Sequence, residues 1–570
     1  AINADARYIG LTIYGTTDSV FTDEIAVIAA PGGSAGFDQA YNGTPQAFYT
    51  AGMVIRPRMG VLPIAANIAL PNTFLVSDMR GKDDAKKPAK LVMELPVAVS
   101  LIAPKPEKVE PIKLDGADYN RITMPLKTIA GGQTESLYFK VDGTVPANAV
   151  AVLYADYGTT DPVKQRIPLQ IITAPVVNTP FKKLHVSLAW INEKDALIWP
   201  DFAASWPQLG FNAVSVFPRY WTAGTRQKME DFVTAARSRG MKIIMNESPF
   251  HVMANGHKAG DEVFSQIPGS PNKHLCPSYR GKFYEQEMAR VAANVEKCRP
   301  DYIFWDIECW YEGAIEAPRC SRCIEECKAS GKNMNEFLKD KGTESFRDLY
   351  RTVEKASAGH KMPVVASYNH HAAKPEHQLI IDFNRIYPQY VKLAQPSLYV
   401  GGRAQDVHDS IRANYKLLKS RNIIPWLSAG CYGEFEPEKV EPMVLEALLN
   451  GATGITYYCF TDFDNAMDFY YHAKALAQIA PYEDIIADGE VLEPTGSNPG
   501  LTYSGIKRGN EMLLLIGNYR RGDDDTVFTV PFAKVAEVKD LRSGETLAPQ
   551  SALQLKVAKG DIRLLYIRGE

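Results

Sequence analysis

Two carboxylates with one residue between them are the best candidates in this chain for acid–base chemistry. They are Asp306 and Glu308, in the run Pro300-Asp301-Tyr302-Ile303-Phe304-Trp305-Asp306-Ile307-Glu308-Cys309-Trp310. Side chains at i and i+2 of a strand share a face, so the two would stand side by side. Carboxylates held close push their pKa values apart, which lets one stay protonated as an acid while the other stays charged. The same spacing also fits an ion-paired or helix-capping pair in a loop.

What would position them is a strand. Tyr302 to Trp305 is short, aromatic and preceded by Pro300, and it reads as a buried parallel strand. The same rhythm of apolar strand, amphipathic helix and glycine runs from Phe181 to about Pro481. Strands are predicted at His185–Trp190, Ala213–Tyr220, Lys242–Glu247, Tyr302–Trp305, Pro363–Asn369, Val391–Tyr399, Ile423–Ser428 and Gly454–Phe460. Eight βα units in about 300 residues predict a (β/α)₈ barrel, whose catalytic face is the C-terminal end of the strands. An open doubly wound sheet is the alternative, but no glycine-rich phosphate loop follows any strand.

The predicted catalytic face gathers rings and planar polar groups, which suit the C–H faces and hydroxyls of a sugar. Its candidates are Trp190, Arg219, Tyr220, Asn246, Trp310, Tyr368, Asn369, Gln395, Tyr399, Glu434 and Tyr457, with Asp306 and Glu308 at the centre. No Ser-His-Asp arrangement in a nucleophile elbow is present. His370-His371 lacks a partner at ligand spacing and reads as a loop pair rather than a metal site.

The 570 residues give a soft expectation of about three to four domains. Residues 1–180 read as an all-β sandwich region, possibly two modules. Residues 181–482 read as the barrel and 483–570 as a small C-terminal β-sandwich. The chain is thus expected to be α/β, a TIM-like barrel flanked by β-domains. With 45% hydrophobic residues, 23% charged residues and a net charge of −3, there is no basic excess to call for nucleic acid. No apolar run of ~20 residues predicts a membrane span. The chain starts at Ala1 without a charged, apolar leader. Either a signal peptide has been removed or the sequence is trimmed, and the expected location is secreted or periplasmic.

Eight cysteines are too sparse for a disulfide scaffold in a chain this long. Three of them cluster as Cys320-x-x-Cys323-x-x-x-Cys327, and Cys276 precedes them. This spacing fits a structural zinc site of four thiolates, or disulfides in an oxidising compartment. No cofactor is expected for catalysis.

Asp306-Ile307-Glu308-Cys309-Trp310 resembles the Asp-x-Glu-x-Trp element of the hyaluronidases, glycoside hydrolase family 56, and its Asp-x-Glu is shared with the family 18 chitinases. Ser367-Tyr368-Asn369, Pro396-Ser397-Leu398-Tyr399 and Glu446 to Ile455 resemble further hyaluronidase stretches in the same order. The resemblance implies substrate-assisted retaining cleavage of an N-acetylhexosaminide in an oligo- or polysaccharide. Glu308 would be the acid/base, Asp306 would orient the acetamido group, and Tyr368 and Tyr399 would touch substrate. The aromatic that ends the eighth hyaluronidase strand is Trp, and here Tyr457 or Tyr458 stands there. A second resemblance, through His274-Leu275-Cys276-Pro277-Ser278 and the later cysteine cluster, is to the family 42 β-galactosidases, which bind structural zinc. It implies Glu308 as acid/base with Glu434 or Glu436 as nucleophile, but Ile307 stands where that clan has Asn. An inactive barrel that only binds carbohydrate is the third reading. The stretch Arg7 to Val27 resembles the end of a discoidin-like carbohydrate-binding domain.

Overall fold

The computed structural model describes residues 53–570 except 58–59, 79–86, 127–135, 159–161, 163, 192, 308–309, 370–378, 399–402, 431–435, 464 and 520–523. The runs Tyr8–Tyr14 and Glu24–Ile28, whose β-formers predict strands, and the discoidin-like stretch lie outside the described residues. The chain divides into two compact units, one up to Ala174 with two short later pieces, the other running from Pro175.

In the first unit, short runs of β-branched and aromatic residues separated by Pro and Gly form strands. Six of them make a mixed sheet in the order Leu62–Ala65, Gln165–Ile172, Val150–Asp156, Ala89–Pro96, Ala117–Leu126 and Lys108–Leu114. Only the first pair is parallel. A three-stranded sheet (Pro71–Asn72, Leu137–Val141, Val99–Ala103) and the pair Met53–Pro57 with Phe74–Asp78 complete it. Inward residues of all three, among them Met53, Phe74, Met93, Leu101, Phe139 and Leu153, share one apolar core.

The second unit carries eight parallel strands: β1 (His185–Trp190), β2 (Ala213–Val216), β3 (Lys242–Glu247), β4 (Tyr302–Trp305), β5 (Val364–Tyr368), β6 (Leu393–Gln395), β7 (Trp426–Leu427) and β8 (Gly454–Cys459). β2 to β6 form one sheet in sequence order, and β1–β8–β7 form another. At one seam, bridges pair Ala394 with Ile423 and Ser397 with Trp426. Backbone bonds from Ile424 N to Ala394 O (3.0 Å) and from Trp426 N to Pro396 O (2.9 Å) hold it. At the other seam, Asn212 N donates to Val186 O (3.0 Å) and Ser215 Oγ to Leu188 O (3.0 Å). Each strand is therefore linked to the next, from β1 round to β8 and back.

Helices cross between the strands: α1 (Phe202–Gln208), α2 (Arg226–Ser238), α3 (Lys282–Cys298), α4 (Met334–Ala356), α5 (Phe383–Ile386), α6 (Ala404–Leu418) and α7 (Val440–Leu449), with α8 (Ala466–Ile479) after β8. α2 shows why they form. Its buried residues Met229, Phe232, Val233 and Ala236 fall at i, i+3, i+4 and i+7, a single face. Its chain turns at Gly240, where φ is +75° and a side chain would be strained.

A six-stranded antiparallel sheet follows, in the order Glu490–Leu492, Thr502–Arg508, Glu511–Gly517, Ile562–Gly569, Val535–Asp540 and Thr546–Leu547. A hairpin-like pair, Asp525–Thr529 with Ala552–Lys556, covers it, and Met512, Leu514, Phe528, Leu555 and Leu565 lie between. Tyr519 Oη and Ser504 Oγ, from this sheet region, donate to the buried Glu446 of α7 at 2.7 and 2.5 Å. Burial raises the pKa of Glu446 against those hydrogen bonds.

Candidate active site at the strand ends

The strand period sorts the predicted site residues. On β4, Phe304 faces the interior, where it packs with Ala189, Ala366, Tyr368, Leu393 and Trp426. Asp306 has the same parity one step beyond the strand. Its N–H donates to Glu247 O at 2.9 Å, which continues the β3–β4 ladder. The Asp306 side chain is half-buried, and its Oδ2 accepts from Ser248 Oγ at 2.9 Å. Ser248 shares its parity with Asn246 on the neighbouring strand, so β3 presents an amide and then a hydroxyl to the same side. Glu308 and Tyr399 lie outside the described residues, as do Glu434 and His370-His371.

Three of the predicted residues face the same interior as Phe304: Asn246, Gln395 and Tyr368. Asn246 is fully buried, donates to Ala189 O and keeps Oδ1 without a protein partner. Gln395, at the end of β6, likewise keeps a buried Oε1 unpartnered. Tyr368 stacks edge-on against Phe304 at 4.8 Å and lies 5.5 Å from Trp426. Trp190, at the end of β1, has the opposite parity to the interior Ala189: its partly buried ring stacks on Phe217 at 5.3 Å, lies 5.7 Å from the Arg219 guanidinium and packs at the edge of the interior cluster. Lower in the interior, His185 Nε2, Ser187 Oγ and Thr456 Oγ1 form a chain with steps of 2.8 Å. Burial, and then the charge of Lys242, hold His185 neutral, with a pKa lowered to about 3.

Other predicted residues are turned away, each for a definite reason. Arg219 is 3% exposed and is used inside: Nη1 donates to Asn246 O at 2.7 Å and lies 3.6 Å from Glu247 Oε1. Tyr220 sits beside it, 67% exposed, with its ring 4.7 Å from the guanidinium. Trp310 opens the helix Trp310–Glu316, which turns its ring into a packed layer against Phe250 at 4.5 Å and buries it. Asn369 has the outward parity and donates to Asn414 of α6 at 2.5 Å. Tyr457 is completely buried behind β8, with Oη 2.8 Å from His472 Nδ1 on α8. The inward aromatic of that strand is Tyr458, 6.2 Å from Trp426. The sequence reading passed over Ser248 and left Tyr458 undecided from Tyr457 as the aromatic that ends the eighth strand on the inward face. The i, i+2 parity from Asn246 and from Thr456 is the signal that would have found them.

The cysteines also sort themselves. Cys276 Sγ lies 3.7 Å from Cys320 Sγ and 3.6 Å from Cys323 Sγ, and all three are buried free thiols. Cys327, expected as a fourth ligand, instead directs its Sγ to Lys332 O at 3.4 Å, one turn further along the helix Ser321–Ser330. The helix bearing Gly313 presses on the Cys276 segment. A Cβ at Gly313 would lie 1.8 Å from Leu275 O, so only glycine allows the approach. Hydrogen bonds from Cys276 and Cys323, and the Gln266 N–H, hold the Cys320 thiol well below its usual pKa. Thiolates about 2.3 Å from a tetrahedral zinc stand roughly 3.7–3.8 Å apart, so the Cys276–Cys320 and Cys276–Cys323 spacings fit such an ion, and the three sulfurs all lie within 4.8 Å of one another.

No family model matches the chain, and no curated protein matches it. The solved structures similar to it include glycoside hydrolases. A GH30 endoxylanase from Clostridium papyrosolvens gives a TM-score of 0.42 at 10% identity, covering 69% of this chain and 98% of that one. A maltogenic alpha-amylase from Thermotoga neapolitana gives 0.44 at 13% identity, covering 68% and 99%. A cyclomaltodextrinase gives 0.41 at 11% identity, covering 90% and 99%. At these scores the likenesses carry no weight for the chemistry, which is read from this chain's own residues.

Proposed function

We propose that the eight linked strands form a closed (β/α)₈ barrel and that the chain is a retaining glycoside hydrolase acting on an N-acetylhexosaminide. One observation carries the reading. The carboxylate of Asp306 stands at the C-terminal end of β4 and, among the described residues, takes one hydroxyl on one oxygen, with the amides of Asn246 and Gln395 and the ring of Tyr368 on the same interior face. In the proposed step the substrate's acetamido oxygen attacks C1 as Glu308 gives its proton to the leaving oxygen and the C1–O bond breaks. Asp306 accepts a hydrogen bond from the acetamido N–H and offsets the positive charge of the oxazolinium ring. Water then adds at C1 as the bond from C1 to the acetamido oxygen breaks and the acetamide re-forms, the water's proton goes to Glu308, and the configuration is retained. The deciding measurement is turnover of aryl glycosides with and without a 2-acetamido group. Activity confined to substrates lacking that group, with no inhibition by a thiazoline mimic of the ring, overturns the mechanism. Azide rescue of Glu434→Gln or Glu436→Gln would then establish the two-carboxylate alternative. Glu436 is exposed and precedes the short helical turn at Pro437–Lys439, which speaks against it.

We also propose that Cys276, Cys320 and Cys323 hold a structural zinc ion, which would tie the loop after β3 to the segment after β4. The fit of the sulfur spacing supports this. Elemental analysis of protein purified without added metal is expected to give about one zinc per chain. Absence of zinc together with thiols that do not react after denaturation would point to disulfides instead. A secreted or periplasmic location goes with the glycan substrate, and fractionation of the native host tests it.

A further inference from the structure

Away from the strand-end mouth, a cleft of about 730 Å³ opens between α6, the start of α7, α8 and the C-terminal β-domain. We infer that this cleft is a second glycan-binding site, distinct from the site at Asp306, which holds an uncleaved stretch of the same substrate. The inference rests on the hydrolase reading for its choice of ligand and on the cleft's own chemistry for its existence.

The floor is a closed network of charges. Glu441 is nearly fully buried, yet both of its oxygens are engaged. Oε1 accepts from Arg542 Nε at 3.0 Å and Gln478 Nε2 at 3.1 Å, and Oε2 from Arg542 Nη2 at 3.2 Å and Lys474 Nζ at 2.9 Å. Arg542 Nη1 then donates to Asp561 Oδ1 at 2.6 Å and to Ile562 O at 2.7 Å. At the rim, Arg403 forks onto Asp406 at 2.7 and 3.2 Å. Each of these charges already has its counter-charge, so the cleft does not call for an ionic ligand. What remains are the outer edges of the paired groups, donors on the cations and acceptors on the carboxylates, which suit neutral sugar hydroxyls. Tyr471 adds a half-buried ring with Lys474 Nζ 5.5 Å from its centroid, a face for sugar C–H groups. The volume lies within the range of small-molecule and oligosaccharide sites, about 300–1,000 Å³.

Topology gives the cleft its use. Arg403 and Lys439 stand at the N-terminal ends of α6 and α7, and a crossing helix begins at the end of the unit where the preceding strand finishes. The cleft therefore opens toward the same end as Asp306. A glycan chain longer than the mouth could lie across both, which raises the effective concentration of the scissile bond.

Affinity gel electrophoresis of the full chain tests this with soluble amylose, xylan, glycol chitin and hyaluronan as probes. The variants are Arg403→Ala, Tyr471→Ala and their combination, with Tyr471→Phe as the conservative control and thermal melts confirming folding. At least one probe is expected to retard the wild-type protein. The double variant should bind it at least tenfold more weakly, Tyr471→Phe should bind it nearly as well, and turnover of small aryl glycosides should stay unchanged. No retardation by any probe, or equal retardation of wild type and double variant, overturns the inference. An inactive wild type whose retardation still depends on Arg403 and Tyr471 would leave the cleft standing and overturn the hydrolase reading instead. If the double variant melts early, Glu438→Ala at the rim replaces it under the same criteria.

Discussion

Glu247 and Asp306 are carboxylates on adjoining strand ends, joined by a backbone hydrogen bond from Asp306 N to Glu247 O, and their surroundings are opposite. Glu247 faces outward from the strands and is fully buried. Its Oε1 takes Arg290 at 3.0 Å and lies 3.6 Å from Arg219, and its Oε2 takes Asn294 at 3.0 Å. Glu287 shares Arg290 at 2.7 Å, and burial raises the pKa of Glu287 against that bond. Asp306 is half-buried, and among the described residues its side chain has one hydroxyl partner, Ser248. A carboxylate with every lone pair occupied holds structure together. One with an open oxygen can meet a ligand. The outward layer is thus expected to govern stability and the inward face activity.

The largest expected effect lies on the inward side. Glu308→Gln is predicted to lower kcat by about 10²–10⁴-fold, because an amide cannot deliver a proton. Its melting temperature should match wild type. Unchanged kcat would return the Asp306–Glu308 pair to a structural role.

Glu247→Ala is the matching break in the outward layer. It leaves Arg219 without its buried counter-charge and Arg290 with Glu287 alone, and losing one partner of a buried ion pair costs about 3–5 kcal/mol. Chemical denaturation should show that loss, whereas kcat per folded molecule should move little. A stable variant with lost turnover would reverse the comparison. Asp306→Asn should do the opposite, with kcat falling by about 10²–10³-fold, KM nearly unchanged and stability retained. The interaction it removes strengthens mainly as charge develops in the transition state.

Acid should unfold the protein through its buried histidines. His185 and His472 both have a pKa lowered to about 3, by burial first in each case. Their unfolded values are about 6.5, so the unfolded chain binds more protons below that pH. Stability from these groups is complete above pH ~6.5 and is lost as pH falls toward 3. At pH 5 the expected loss is about 2 kcal/mol per histidine. Urea denaturation at pH 8 and pH 5 measures it. A flat profile would mean that one or both rings are solvated.

Hydrophobic patterning made much of this legible before any coordinates. The β4 run Tyr302–Trp305 was readable residue for residue, and β1 and β3 carry equally plain apolar runs between helix and glycine signals. The runs Ser136–Val141 and Ala149–Tyr154, rich in β-formers between turn signals, mark the strands Leu137–Val141 and Val150–Asp156 to within two residues. Side-chain direction was less legible, for two physical reasons. At a strand end the pleat parity continues only while the backbone stays extended, so Trp310 left the face once a helix began at its own position. A long side chain can also turn back onto its own scaffold, as Arg219 does to reach Asn246 O and Glu247. Cys327 shows a third reason. Cys320 precedes the helix while Cys323 and Cys327 lie along it, so sequence spacing alone did not tell which sulfurs could converge.

Tyr457 and Tyr458 carry the same comparison down to adjacent residues on one strand. The pleat sends Tyr457 outward, where it is enclosed by Phe211, Phe463 and His472, and Tyr458 inward toward Trp426. Tyr457→Phe removes the Oη that meets His472 Nδ1 at 2.8 Å and leaves a buried ring nitrogen without that partner. The expected cost is about 1–2 kcal/mol of stability, with kcat and KM unchanged. Tyr458→Ala takes a partly exposed ring from the inward face, so stability should fall less than in a core truncation while KM rises. Steady-state kinetics beside urea denaturation on the two variants separate the faces. If Tyr457→Phe alters KM, or if Tyr458→Ala alters only stability, the inward side of β8 is not where substrate lies, and the division between Glu247 and Asp306 loses its support at β8.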